Sequence, residues 1–301
     1  KDMLINLTEW TEEHYKLNTE RYLQRLIELM NKNEINLSLR TITEYMPIDK
    51  FTSLSMQLVK KKILTKEEHI SNIELSKISG KISEGAFARF STIIESELGD
   101  IFDDDGIDIY TALEENSIII FILNPLIYPE LSTLIGKLII IDSKKAVSNL
   151  FMNKKERIFF IFDEINVYAS KSMLDLVNKS RSANVTCILA TQSLSDLDAS
   201  NGEYFKEQII ENCNNYLILR QNSSLNAEQW ANIVGTRTTM AITYQLKSED
   251  NITSDTGMGS ARKTREYLYH PDDIKKLRTG EAIFISKDNN YNVSLKVNMP
   301  I

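Results

Sequence analysis

The stretch Ile158-Phe159-Phe160-Ile161-Phe162-Asp163-Glu164 runs five apolar residues directly into two adjacent carboxylates. A continuous apolar run of this length, without alternation, is the pattern of a parallel strand covered on both faces. A carboxylate pair at the C-terminal end of such a strand stands in the crevice where open α/β sheets bind ligands. A second reading competes: Asp163 and Glu164 as a plain strand exit and the acidic first turn of a helix, which the helix dipole favours.

The residues that follow strengthen the first reading. Met173, Leu174, Leu176 and Val177 give a helix-compatible segment its apolar side. Arg181-Ser182-Ala183-Asn184 comes next, then a second apolar strand, Val185-Thr186-Cys187-Ile188-Leu189-Ala190, and the exit Thr191-Gln192-Ser193. Strand, helix, strand is a βαβ unit, whose strands lie side by side and parallel. Gln192 is therefore expected near Asp163 and Glu164.

The order of these residues resembles the FtsK/HerA group of RecA-like DNA motors. Within that group it is most similar to the TraG/TraD-type coupling proteins of conjugation and type IV secretion. Later segments extend the likeness. Asn212-Cys213 precedes the strand Tyr216-Leu217-Ile218-Leu219, and a helix with Ala227, Trp230 and Ala231 closes at Gly235. Tyr269-His270-Pro271-Asp272-Asp273-Ile274, Leu277 and Gly280-Glu281 then lead into a last strand, Ala282-Ile283-Phe284-Ile285. The resemblance covers nearly the whole chain, with its strongest motifs between 158 and 285.

That resemblance implies an α/β fold: a partial RecA-like P-loop ATPase core with a mostly parallel sheet, and an all-α subdomain on its N-terminal side. Residues 1–80 would be the all-α subdomain, which in the family engages cargo or relaxosome components. Residues 81–301 would be the C-terminal part of the motor domain, with 158–164 as its Walker B strand. Asp163 would hold nucleotide-bound Mg2+ through water, and Glu164 would orient the attacking water. Gln192 would sense the γ-phosphate; its competing reading is a polar strand exit. Arg181 would be an arginine finger reaching the next subunit of a ring, where such a residue is worth roughly 10³–10⁵ in rate. As a cation at a helix C-terminus it would instead only complement the dipole. The implied partners are DNA, relaxase and relaxosome proteins, the type IV secretion channel and further copies of the protein in a ring, expected to be a hexamer. The implied location is the cytoplasmic face of a bacterial cell membrane.

No G-x-x-x-x-G-K-[ST] occurs in the sequence; Gly80-Lys81 and Gly136-Lys137 lack both the leading glycine and the hydroxyl partner. Without that loop there is no backbone nest for phosphates and no lysine for the β/γ oxygens. In the family the loop and the membrane anchor lie N-terminal to the all-α subdomain. The chain, which opens on Lys1, is thus expected to be a C-terminal piece, inactive by itself. ATP and Mg2+ are expected for the full-length protein and no cofactor for this chain alone.

Composition sets the remaining bounds. The chain is 42% hydrophobic and 26% charged, an ordinary globular balance. A formal charge of −7 argues against a generally basic surface, so any DNA contact must be local, such as a basic loop. Residues 245–265, polar and rich in Gly, Ser and Thr, read as a loop carrying Arg262, Lys263 and Arg265. Cys187 and Cys213 form no metal or redox spacing, which suits a reducing cytosol. No apolar run approaches 18 residues. His14, His69 and His270 show no ligand or triad spacing, and Asp103-Asp104-Asp105-Gly106 reads as a turn, lacking a calcium loop's alternating ligands.

Upstream of the central strand the chain reads as helical. Trp10, Tyr15 and Leu17 suggest one helix, while Tyr22, Leu23, Leu26, Ile27 and Met30 form an amphipathic stripe, as do Phe51, Leu54, Leu58 and Val59. The Lys60-Lys61-Lys62 run reads as a solvated helix end. Ser83 is expected to cap a helix lined by Phe87, Phe90, Ile94 and Leu98. Ile118 to Leu123 reads as a core strand, and Leu131 to Ser148 as a helix burying Leu134, Ile135, Leu138 and Ile141. Three strands, 118–123, 158–162 and 185–190, would make a doubly wound sheet. Two function classes follow: part of a DNA-translocating ATPase, of coupling-protein or else FtsK/HerA type, or a non-catalytic module that docks cargo.

Overall fold

Helix α1 (Glu13–Lys32) buries Tyr22, Leu23, Leu26, Leu29 and Met30 along one stripe, the three- and four-residue spacing that keeps apolar groups on one face. Tyr15 and Leu17 belong to the same helix but are exposed. Across from α1, helix α3 (Ile48–Lys60) supplies Phe51, Leu54 and Leu58. The Tyr22 and Phe51 rings lie 4.7 Å apart, and the Tyr22 hydroxyl donates to the Met46 carbonyl at 2.7 Å. Two short helices are locked by reciprocal caps: α2 (Leu39–Tyr45) by Ser38 with Thr41, and α4 (Lys66–Leu75) by Thr65 with Glu68. Such boxes satisfy backbone donors that a helix start otherwise leaves open.

The computed structural model describes residues 4–5, 10, 12–97, 99–102, 106–150, 157–180, 184–201, 204–249 and 252–298. Arg181 and Asp103 to Asp105 lie outside the described residues. The chain divides into two units, Lys1–Leu189 and Ala190–Ile301.

In the first unit the helical core continues past Gly80 into α5 (Glu84–Ile94) and takes in Leu134 and Leu138 of the long helix α7 (Pro129–Leu150). Ser83 does not cap α5: its hydroxyl donates back to the Ser79 carbonyl at 2.6 Å, because the chain enters α5 from a preceding helical turn rather than from extended backbone. Helix α6 (Ile109–Glu114) is capped by Asp108. The expected strand at 118–123 is absent; Ile118, Ile120 and Ile122 are exposed, each by more than three quarters. An apolar run becomes a strand only through ladder partners, and no described strand lies beside this one. The parallel sheet therefore consists of β1 (Ile158–Phe162) and β2 (Val185–Leu189), paired from Ile158 with Val185 to Phe162 with Leu189. Helix α8 (Lys171–Ser180) links them and buries Met173, Leu174 and Leu176, as the apolar pattern implied.

The second unit holds α9 (Leu194–Asn201), α10 (Phe205–Asn212), β3 (Asn215–Ile218), α11 (Ser224–Val234), β4 (Thr236–Glu249), β5 (Ile252–Tyr267), α12 (Pro271–Lys275), β6 (Glu281–Ser286) and β7 (Tyr291–Lys296). Strands β3, β6 and β7 form an antiparallel sheet in that order, backed by Ala227 and Ala231 of α11 and Ile274 of α12. Gly235 ends α11 at φ 103°, a conformation that costs glycine little. Of the segment read from sequence as a loop, residues 245–249 and 252–265 lie instead in the paired strands β4 and β5. Met240, Ile242, Tyr244 and Leu246 of β4 alternate with smaller or polar residues, the period of a strand, whereas β5, with Gly257, Gly259 and many polar residues, carries no such signal. The fold is thus α/β, but among the described residues its parallel part is one strand pair, and the last strands join an antiparallel sheet with β3.

Candidate functional site

Strand β1 alternates in burial: Ile158 and Phe162 are inside, while Phe159 and Ile161 are 58% and 72% exposed. The expectation of cover on both faces holds for one face only among the described residues. Because β1 and β2 run parallel, their C-terminal ends, Phe162 and Leu189, meet at one sheet edge. Asp163 and Glu164 emerge there, both exposed.

The backbone turns sharply at Glu164, which sits in the left-handed region at φ 47°, ψ 52°. For a residue with a Cβ this conformation costs on the order of 1–2 kcal/mol, so the surroundings must hold it. Part of the hold is local. The Glu164 N–H donates to Asp163 Oδ1 at 3.0 Å, and the Val167 N–H donates to the Glu164 carbonyl at 3.0 Å within a short 3-10 turn, Ile165–Val167. Ile165 is buried and anchors that turn.

Helix α7 supplies the rest. The Tyr168 hydroxyl donates to the Asp163 carbonyl, closing the turn across its base. Burial first, and then the negative charge of Asp163 and Glu164, pushes the Tyr168 phenol up to about 12, so it remains a neutral donor at physiological pH. Its ring packs 6.4 Å from Phe162. Gly136 of α7 makes room for it: a Cβ there would lie 2.6 Å from Tyr168 Cβ. Thr133, one turn earlier, donates to the Val167 carbonyl at 3.0 Å, and Lys144 meets Asp175 of α8 at 3.2 Å. Gly136 and Tyr168 were missed from sequence, where Gly136 was weighed only against a phosphate loop. A glycine inside an apolar helix was the available signal, since it costs about 1 kcal/mol there unless packing requires it.

Chemically the turn is an oxygen-rich edge: two exposed carboxylates and, two residues on, the Asn166 Oδ1, buried with no hydrogen-bond partner in the structure. No group of three or more His, Cys, Asp or Glu side chains clusters to hold a metal ion among the described residues. Asp163 and Glu164 are the exposed side chains of the turn that could hold a hydrated cation.

Of the four residues assigned roles from sequence, the structure brings Asp163 and Glu164 together on one turn. Gln192 is exposed at the start of the second unit. The segment after it is held by a clasp that sequence did not reveal: Asn226 of α11, 5% exposed, donates to Ser193 Oγ at 2.8 Å and accepts from Ser195 Oγ at 3.0 Å. The histidines have local partners. His69 contacts Ser55 Oγ at 3.0 Å inside the helical core, and His270 Nδ1 accepts from the Asp272 N–H to cap α12.

Residues 157–279, from the strand of the carboxylate turn to the approach of β6, match the family whose model is described as the TraM recognition site of TraD and TraG. An uncharacterized protein of Mycoplasma pneumoniae is 33% identical over 107 residues, which make up 36% of this chain and 71% of that protein. Over residues 157–279 the chain is thus of TraG/TraD type. Solved structures at 14% identity carry the fold. The bacterial conjugative coupling protein TrwBdeltaN70 superposes with a TM-score of 0.70, covering 99% of this chain and 67% of that one. The plasmid coupling protein TrwB in complex with ADP and Mg2+ gives 0.66, covering 100% and 68%. The chain thus has the RecA-like fold of these coupling proteins and spans about two thirds of their length.

Proposed function

We propose that this protein is the coupling ATPase of a conjugation or type IV secretion apparatus, and that the chain supplies the Walker B half of its motor. One observation carries the reading: an apolar parallel strand delivers Asp163 and Glu164 to a strained turn that α7 and Tyr168 hold in place. Strain at a braced, exposed carboxylate is the kind kept for function. Likeness to TrwB, solved with ADP and Mg2+, supports a nucleotide as the ligand.

In this reading Asp163 orients water molecules around a nucleotide-bound Mg2+, and its engaged Oδ1 fixes which way the other oxygen faces. Glu164 accepts a hydrogen bond from the attacking water and takes up its proton. The Mg2+-ATP pair supplies the transferable phosphoryl group and the cation that neutralises it. Gln192 would contact the terminal phosphate, and Arg181 would enter the site of the neighbouring subunit in a ring. DNA, relaxosome proteins and the secretion channel are the proposed partners, at the cytoplasmic face of the cell membrane. A second reading, a docking module without catalysis, is favoured by the partner-recognition description of the matched family.

The test uses the intact protein. Glu164→Gln is expected to lower ATP turnover roughly 10²–10⁴-fold, the usual range for a lost general base, with nucleotide affinity nearly unchanged. Mixing Arg181→Ala subunits with Glu164→Gln subunits should give more activity than either alone, because one complete site then forms at mixed interfaces. Wild-type turnover in the Glu164 variant removes that residue from the site. An intact wild-type protein without turnover leaves the docking reading.

A further inference from the structure

Strands β4 and β5, of 14 and 16 residues, pair with each other, and neither pairs with another described strand. The base of this pair is fixed. The Leu268 N–H donates to the Gly235 carbonyl at 3.0 Å, and the Tyr267 hydroxyl meets Asn232 of α11 at 3.2 Å. A two-stranded ribbon is marginal in water by itself, so one held this firmly and left open on both sides has a surface to offer.

The register shows what that surface is. Thr238 pairs with Arg265, Met240 with Lys263 and Ile242 with Ala261, so these six side chains share one face. Met240 and Ile242 are 54% and 56% exposed, and Lys263 and Arg265 are exposed beside them. No acid stands on that face between residues 236–243 and 260–267; Glu266, the one acid of these segments, lies on the opposite face across from Arg237. A face with two cations and no acid is a local exception in a chain of net charge −7.

We propose that this face of the β4–β5 hairpin binds duplex DNA, with Lys263 and Arg265 on backbone phosphates and Met240 and Ile242 against the groove wall. A two-stranded ribbon is one of the two elements that the major groove, about 12 Å wide, admits. Lys263 and Arg265 on one strand suit the phosphates at the groove's rim, and Met240 and Ile242 on the other suit the thymine methyls that the groove displays. The proposal rests on the coupling-motor reading for its setting. It adds the place where DNA is held and makes that place independent of the nucleotide turn.

Polarisation of a labelled 20-base-pair duplex, titrated with the intact protein over a range of salt, tests it without nucleotide. For K263Q/R265Q the affinity is expected to fall about tenfold and the slope of log K against log salt to flatten by about 2, one phosphate contact per lost cation. R262Q, on the other face, should change both less, and DNA-independent ATP turnover should be unchanged in K263Q/R265Q. Equal slopes for wild type and K263Q/R265Q overturn the proposal. So does binding of a single-stranded oligonucleotide alone, or a wild-type protein that ignores DNA and engages a protein partner through this face. Because binding is read without hydrolysis, an inactive ATPase with intact DNA binding would sink the motor reading and leave this one standing.

Discussion

Tyr22 and Ile161 are both large apolar side chains on regular elements, yet one is fully buried and the other 72% exposed. The helical region around Tyr22 closes its core from its own residues: α1, α3, α5 and part of α7 bury Leu23, Leu26, Phe51, Leu54 and Phe90 almost completely. The sheet around Ile161 closes on one side only, leaving Phe159, Ile161 and Ile188 open. Stability in the first region is internal to the chain. In the second, the same residue types have no cover among the described residues.

The largest expected effect tests the closed side. Phe51→Ala should lower the unfolding free energy by about 3–5 kcal/mol, the cost of removing a fully buried ring with its contact to Tyr22. Ile161→Ser, by contrast, should lie within about 0.5 kcal/mol of wild type in this chain, as expected for an exposed position. Urea denaturation of both variants decides it. Similar losses would mean that the two regions are not differently closed, while a larger cost for Ile161→Ser in the intact protein would show the face covered there.

A smaller effect is expected where the two regions meet on α7. Gly136→Ala puts a methyl into Tyr168 and should cost about 1–3 kcal/mol through overpacking. If α7 braces the carboxylate turn, ATP turnover in the intact protein should fall as well, with Leu134→Ala as the control that loosens the helical core without touching Tyr168. Loss of stability with unaltered turnover per folded molecule would separate the brace from the site.

The smallest effect carries the opposite sign. Glu164→Gly relieves the left-handed conformation and should stabilise the chain by about 0.5–1 kcal/mol while removing the carboxylate. A thermal shift upward together with lost turnover would identify the turn as strain kept for activity. A downward shift would mean that the Glu164 side chain contributes more to the fold than its backbone costs.

These contrasts also explain what could be read from the sequence. The βαβ unit and its carboxylate pair were legible because β1 is five apolar residues in a row, and α8 repeats Met173, Leu176 and Val177 at helical spacing. Ile118 to Leu123 carries as strong an apolar signal and forms no strand, because pairing depends on residues far away in sequence. The β4–β5 hairpin failed in the other direction: Met240, Ile242, Tyr244 and Leu246 alternate as a strand should, but the Gly-, Ser- and Thr-rich residues of β5 read as a loop and masked the pairing. Ser83 had the right chemistry for a cap and the wrong backbone around it. Gly136 was noticed for the motif it does not make, while the ring it accommodates lies 32 residues ahead.

One consequence of the hairpin concerns the order in which the second unit assembles. Strand β3 must find β6 across 62 intervening residues, from 219 to 280. Closing an open loop of that length costs entropy that grows with the logarithm of its size. A hairpin forms from local contacts in about 1–10 μs, and once Leu268 has bonded to Gly235 the residues between them no longer count as slack. What remains is α11, α12 and their short links. The ribbon thereby acts as a stitch in the chain: it brings two distant strands within reach before either has a partner.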